Sequence, residues 1–202
     1  MKPDLNRFND DFPYHKYTEI MWRAGELNIE ILKNFQNLKS FTCSDNQLES
    51  LCGIEFLSLL EELDCARNQL TSLEGIDYLQ NLKTLDCSFN CLTSLKGVDE
   101  LYSLNKINCQ CNTINCLINA SKLMNLKIFN CYLNKIDSLE FLFLNLSIQE
   151  LDISHNEIKS LDGLELMDKL KKLNCSNNKL ESLFGLNPQI KLELFDYSDN
   201  NL

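Results

Sequence analysis

The chain has very little histidine, no long apolar run and no excess of positive charge. Only His15 and His155 occur among its 202 residues, which leaves little material for histidine-based catalysis. No apolar run approaches the roughly 18 residues of a membrane-spanning helix. The formal net charge of -10 is opposite to the basic surface that nucleic-acid binding requires. We therefore expect neither a membrane span nor a nucleic-acid partner.

The amino terminus and the cysteines bear on the compartment in which the chain works. Residues 1–10 are polar and include two acidic side chains, so no secretory signal is visible there. Ten cysteines without such a signal favour free, reduced thiols. We expect a cytoplasmic protein, or one in the cytosol of a host cell if the chain is an effector.

Leucine and asparagine are over-represented, with 39 and 25 copies, and both recur at one constant interval. Asparagine occurs eight times at this interval, first at Asn46 and Asn68 and last at Asn200. Apolar residues stand eight and five positions before it and two positions after it, and cysteine stands three positions before it in six repeats. The pattern L-x-x-L-x-C-x-x-N-x-L predicts eight stacked units that bury one continuous core.

Each repeat divides into two halves with different predicted structure. Alternation of inward and outward residues in the first half predicts a short strand. The asparagine that follows can both donate and accept hydrogen bonds, so we expect an asparagine ladder that pairs backbone groups of neighbouring coils. The second half, as in residues 73–76, predicts a short 3₁₀ or helical turn. Its usual glycine is replaced at Asn119 and Phe141, so the fourth and fifth repeats should differ.

These motifs resemble the leucine-rich repeats. Residues 86–98 are similar to the 22-residue subtype of the leucine-rich regulators of type-1 protein phosphatase and of the bacterial internalins. The resemblance covers residues 38–202 and implies an α/β fold, namely a right-handed horseshoe solenoid with a parallel concave sheet and short 3₁₀ or helical turns on its convex side. Because this family is defined by its scaffold, the resemblance predicts the fold better than the function.

The two ends of the chain depart from the repeat. Residues 1–37 are predicted to form a helical N-terminal cap that merges into half a repeat, and residues 38–202 form the eight repeats. Within the cap, apolar residues at helical spacing predict an amphipathic segment from Tyr17 to Phe35: Ile20, Ala24, Leu27, Ile31 and Phe35. At the other end the last strand, near Phe195, has no further repeat to cover it. We expect either a longer natural chain or a weak homodimer through this C-terminal edge.

No constellation in the sequence points to catalysis. The ladder cysteines recur once per repeat and would stack in a line, which cannot form a tetrahedral zinc site, so packing as small buried residues is the better interpretation. Asp64 and Asp86 lie on a stripe of outward Asp, Asn and Thr side chains. A cation site or paired catalytic carboxylates is the alternative to an ordinary solvated surface. We predict no catalytic residue, no cofactor and no metal site.

A candidate partner-binding surface comes from the position just before each ladder asparagine. This position is polar in the terminal repeats and largely apolar in the middle. Aromatic anchors inside a charged rim are typical of protein-binding hot spots. The predicted partner-binding residues are Phe89, Cys111, Ile128, Tyr132, Leu133, His155, Asp64 and Asp86. In the alternative interpretation some of these side chains fold back on the edge of the solenoid.

The sequence therefore predicts a non-catalytic scaffold that binds a partner protein through its concave face. One alternative is a regulatory subunit that docks on an enzyme such as a protein phosphatase, as the family resemblance implies. Another is the recognition domain of a larger effector or ubiquitin-ligase-type protein.

Overall fold

The computed structural model describes residues 13–22 and 29–202. In this part of the chain, nine short strands form one parallel sheet whose order follows the sequence. The strands are β1 (Glu19–Met21), β2 (Ser40–Thr42), β3 (Glu62–Asp64), β4 (Thr84–Asp86), β5 (Lys106–Asn108), β6 (Ile128–Asn130), β7 (Glu150–Asp152), β8 (Lys172–Asn174) and β9 (Leu194–Asp196). From β2 onwards, each strand starts one repeat after the previous one, so the sheet is the inner wall of a solenoid.

The constant length of the repeat fixes the pairing of the strands. The central residue of each strand points inward and pairs with its equivalent in the next, as Leu63 does with Leu85 and Leu85 with Ile107. The leucines and isoleucines of successive coils form one continuous core, and nearly all of them are buried. A single coil could not bury these side chains by itself, so stacking is what stabilises the fold.

The convex side carries short 3₁₀ helices instead of strands. In the repeats they span Ile54–Phe56, Ile76–Tyr78, Ile118–Ala120 and Glu140–Leu142. A left-handed glycine precedes the second of these, since Gly75 has φ 89°. The equivalent positions Asn119 and Phe141 are not left-handed, and the helices of the fourth and fifth repeats begin two residues earlier relative to the ladder asparagine. The predicted difference of these two repeats is confirmed.

The predicted amphipathic segment at helical spacing is wrong at its start, where the chain forms a strand. Residues Glu19–Met21 form β1, which pairs in parallel with β2, and Ile20 packs inward beside Phe41. Pairing with β1 satisfies the backbone groups at the edge of β2, and this outweighs the helical spacing of the apolar residues. Ala24 and Leu27 lie outside the described residues.

The merging of the cap into half a repeat stays a prediction, and the structure describes the segment before β2 from Ile29 onwards. A 3₁₀ helix spans Ile29–Asn34. It places Leu32 and Phe35 in the core, at positions one repeat before Ile54 and Leu57.

Candidate functional site

Every strand from β2 to β9 ends in the same left-handed turn. The residue just before the ladder asparagine has φ between 52° and 57° in all eight repeats. This conformation costs an ordinary L-residue about 1–2 kcal/mol, and aspartate and asparagine tolerate it best. Asp45, Asn177 and Asp199 occupy it near the ends of the stack. Backbone preference does not explain why Phe89 and Leu133 occupy it in the middle.

The ladder asparagine holds this turn in place, as predicted. Asn112 donates through Nδ2 to the carbonyl oxygens of Cys87, Cys109 and Gln110 at 3.1, 3.0 and 3.3 Å. Its Oδ1 accepts the backbone N–H of Leu92 at 2.9 Å. The amide therefore links its own turn to the preceding coil, and equivalent bonds recur along the stack. These hydrogen bonds hold the turn, and with it the left-handed residue, against the preceding coil.

The stripe of outward Asp and Asn side chains also supports the turns. Asp64 Oδ1 accepts the backbone N–H of Ala66 at 3.1 Å, and Asp86 Oδ1 accepts those of the Ser88 backbone and hydroxyl at 3.0 and 2.5 Å. The second oxygen of Asp86 accepts Asn108 Nδ2 at 2.9 Å. Asp64 and Asp86 are adjacent in the sheet, as expected, but most of their acceptor atoms serve the local structure.

Three of the predicted binding residues form a continuous row on successive turns. Phe89, Cys111 and Leu133 occupy the left-handed position of consecutive coils. Phe89 is 38% exposed and Leu133 45% exposed, with the half-buried Cys111 between them. At one end the guanidinium carbon of Arg67 lies 4.3 Å from the centre of the Phe89 ring, a cation–π contact. We call Phe89, Cys111 and Leu133 the turn patch.

Tyr132 and His155 extend the turn patch, whereas Ile128 does not. The rings of Tyr132 and His155 meet edge to face, with centroids 5.1 Å apart. Tyr132 directly precedes Leu133 in the chain, so this aromatic pair adjoins the turn patch. Ile128 begins β6 and therefore lies at the opposite end of the strand from the turn. The predicted set is divided between two surfaces.

Ile128 instead lines a trough on the outward side of β6–β9, with a volume of about 390 Å³. The predicted binding residues do not include its other lining residues, among them Asp152, Asp196 and Leu194. A signal for them exists in the sequence. At the first position of consecutive strands the order is Ile128, Glu150, Lys172 and Leu194, an ion pair between two apolar residues.

Two groups of ion pairs lie where the strands begin. Glu61 accepts hydrogen bonds from Lys83 and from Lys39, and these two contacts lower the pKa of the Glu61 carboxyl to about 2. Lys172 donates to Glu150 at 2.8 Å, and this bond raises the pKa of the Lys172 ammonium. Both groups are solvent-exposed, so salt screens them and they contribute little to stability.

The cysteine ladder is a packing feature of the core. Its six members are buried free thiols: Cys43, Cys65, Cys87, Cys109, Cys131 and Cys175. Burial raises the pKa of Cys43 to about 12 and that of Cys65 well above its usual value. Cys65 Sγ donates to the carbonyl oxygen of Asp86 at 3.3 Å. Within residues 13–22 and 29–202, no three potential ligands of the His, Cys, Asp and Glu types converge on a metal site.

The comparisons with known proteins agree with this architecture. A family model for leucine-rich repeats in two copies matches residues 58–100 and 147–188. The matched segments are leucine-rich repeats, and the chain resembles the leucine-rich repeat proteins. A search of curated proteins finds no match. None of the helices in the described part of the chain is long and apolar enough to cross a membrane.

Several solved structures share the solenoid. An internalin, inlF, from Listeria monocytogenes superposes with a TM-score of 0.82 at 20% identity, over 90% of this chain and 54% of its own. A leucine-rich repeat protein from Leptospira interrogans gives 0.78 at 27% identity, over 84% and 45%. The functional domain of InlJ from Listeria monocytogenes, which includes a cysteine ladder, gives 0.70 at 24% identity, over 91% and 44%. The chain spans about half the length of these structures.

Proposed function

We propose that this chain is a non-catalytic scaffold that binds a partner protein through its concave face, with the turn patch as the central contact. The leucine-rich repeat fold is a common scaffold for protein–protein interaction. What supports the finer assignment is the row of Phe89, Cys111 and Leu133 at a strained backbone position. An exposed apolar residue there gains nothing from the backbone, so a contact with a partner accounts for it best.

The surroundings of the turn patch also fit a binding hot spot. Arg67 covers one end, and the Tyr132–His155 pair adjoins the other. Aromatic and arginine side chains are enriched at the centres of protein interfaces, and polar groups form their rims. The polar rim here is supplied by the left-handed residues of the outer repeats, such as Asp45 and Asp199.

The test begins with the chain as bait in an affinity capture that identifies the partner. Purified partner is then titrated against the wild-type chain and against Phe89→Asp and Leu133→Asp. Aspartate occupies the same left-handed position at Asp45 and Asp199, so these changes preserve the turn. Loss of a hot-spot residue costs about 2 kcal/mol or more, which is roughly a thirtyfold loss of affinity.

The matched controls lie on the convex side. Met124 and Leu166 are 55% and 64% exposed, and Met124→Asp and Leu166→Asp introduce the same charge there. We expect these variants to bind the partner normally. The proposal fails if the convex variants lose affinity while the turn-patch variants keep it. It also fails if Phe89→Asp and Leu133→Asp unfold the chain, because those residues would then belong to the core.

A further inference from the structure

The trough over β6–β9 has features that a plain solvated sheet surface lacks. Its first row runs Ile128, Glu150, Lys172 and Leu194 across consecutive strands. The two charged residues neutralise each other, since Lys172 Nζ lies 2.8 Å from Glu150 Oε1. Leu194 is 61% exposed. This row therefore offers aliphatic surface at both ends, and the Glu150–Lys172 ion pair lies between them.

The second row is polar and runs Asn130, Asp152, Asn174 and Asp196. Each aspartate uses only Oδ1 for its own turn. Asp152 Oδ1 accepts the Ser154 backbone and hydroxyl at 3.0 and 2.6 Å, and Asp196 Oδ1 accepts those of Ser198 at 3.0 and 2.7 Å. In the described part of the chain, Oδ2 of each has no hydrogen-bond donor, whereas Asp86 Oδ2 is paired with Asn108.

Two unpaired acceptors thus open into one trough. Asp152 and Asp196 are two strands apart, about 10 Å between backbones. Both side chains line the same trough, since Asp152 and Asp196 are the last residues of β7 and β9. The lining carries three carboxylates, those of Glu150, Asp152 and Asp196, against the single ammonium of Lys172. The trough is therefore negatively charged, and its charge is concentrated in the polar row.

We propose that this trough binds an arginine side chain of the partner protein, carried on an extended segment with aliphatic neighbours. A guanidinium presents several donors in one planar fork and can reach both Asp152 and Asp196, whereas a lysine ammonium is a compact point charge. Aliphatic residues beside the arginine would pack on Ile128 and Leu194. The inference rests on the proposed function, because the arginine belongs to the partner that contacts the turn patch.

The hydrogen bonds of the turn favour the charged form of Asp196. The Ser198 hydroxyl and then the Ser198 backbone N–H hold the pKa of Asp196 below its usual value. Asparagine occupies the equivalent position at Asn174 and makes the same turn, since its Oδ1 accepts the Ser176 backbone and hydroxyl at 3.1 and 2.8 Å. An aspartate-to-asparagine change in this row therefore removes charge without removing the turn.

The experiment is a nuclear magnetic resonance titration of the full chain with three capped pentapeptides at fixed salt. The first peptide is Gly-Leu-Arg-Leu-Gly. In the second, neutral citrulline replaces the arginine, and in the third, glutamate replaces it. We expect the arginine peptide to shift the Asn174 side-chain amide and the Ile128 methyl signals. The citrulline peptide should bind about tenfold or more weakly, since it lacks a charge-assisted hydrogen bond, and the glutamate peptide should not bind.

The variant Asp152→Asn/Asp196→Asn should weaken arginine-peptide binding by a similar factor. The control Asp77→Asn/Asp162→Asn removes the same charge from exposed positions outside the trough and should bind like the wild type. The inference is overturned if arginine and citrulline peptides bind equally, if the trough variant binds normally, or if no peptide shifts the trough signals. The peptide titration does not involve the turn patch. If it fails while Leu133→Asp still disrupts the partner complex, only this inference falls.

Discussion

Replacing Asn112 by alanine removes four hydrogen bonds from the middle of the stack. Some of the backbone groups left behind keep another hydrogen-bond partner, and one does not. The carbonyl oxygens of Cys87 and Cys109 keep a second donor, from Asn90 and Asn134 respectively. The carbonyl oxygen of Gln110 keeps the backbone N–H of Phe89. The Leu92 N–H has Asn112 Oδ1 as its acceptor, and it becomes a buried donor without a partner.

The magnitude follows from this accounting. One buried unsatisfied amide costs about 1–3 kcal/mol. We therefore expect Asn112→Ala to lower the free energy of unfolding by about 2–3 kcal/mol, or the melting temperature by about 4–9 °C for a chain of this size. Asn112→Asp keeps the acceptor for Leu92 but turns a carboxylate oxygen towards three carbonyl oxygens, so it should be at least as destabilising.

The assay is urea and thermal unfolding followed by far-ultraviolet circular dichroism. The matched control is Asn200→Ala, in the last coil, where Asn200 makes equivalent bonds to Leu180, Cys175, Tyr197 and Ser198 but is only half-buried. Water can replace part of these bonds, so the loss should be clearly smaller there. Unchanged midpoints for both Asn112 variants would refute the structural role of the ladder. Equal losses of stability in Asn112→Ala and Asn200→Ala would refute the idea that burial makes the Asn112 hydrogen bonds more important.

Three further predictions concern the glycines, the cysteines and the sheet edge. Gly163→Ala should lower the free energy of unfolding by about 3 kcal/mol or more, since φ is +106° and the new Cβ would lie 2.3 Å from the Leu139 carbonyl oxygen. At Gly75 the new Cβ would meet only side chains, so Gly75→Ala should lower it by about 1–2 kcal/mol. Equal losses of the two variants in urea unfolding would contradict this prediction. Burial raises the pKa of Cys43 and Cys175 to about 12, so the folded chain keeps protons that the unfolded chain releases above about pH 9. The free energy of unfolding should then fall between about pH 9 and 12, by up to about 1.4 kcal/mol per pH unit for each such thiol, and urea midpoints that stay level from pH 8 to 10 would count against it. In the described part of the chain β9 pairs with β8 alone, and Leu194 and Tyr197 are exposed. We expect sedimentation to show weak self-association that rises with concentration and is lost in Leu194→Lys, and a strictly monomeric wild type would contradict this.

The repeating part of the fold could be predicted from the sequence because the period of the repeat determines which side chains are buried. Residues one repeat apart, such as Leu63 and Leu85, must stack if each coil is to bury its inward side chains. The asparagine ladder follows for a related reason, since a buried turn needs a side chain that both donates and accepts. The packing of the cysteines as buried thiols was predictable because they also recur once per repeat and therefore stack.

The tertiary structure alone decided what lies outside the repeat. Ile20 has helical spacing to Phe35, yet it lies in a strand, because the edge of β2 offers backbone hydrogen bonds that sequence spacing does not reveal. Ile128 and Leu133 are close together in the chain and were predicted to share one surface. The left-handed turn places Leu133 beyond the strand end, while Ile128 remains at its start beside Glu150. A repeat determines which residues are neighbours across strands, whereas the direction of each outward side chain depends on the backbone conformation of the folded turn.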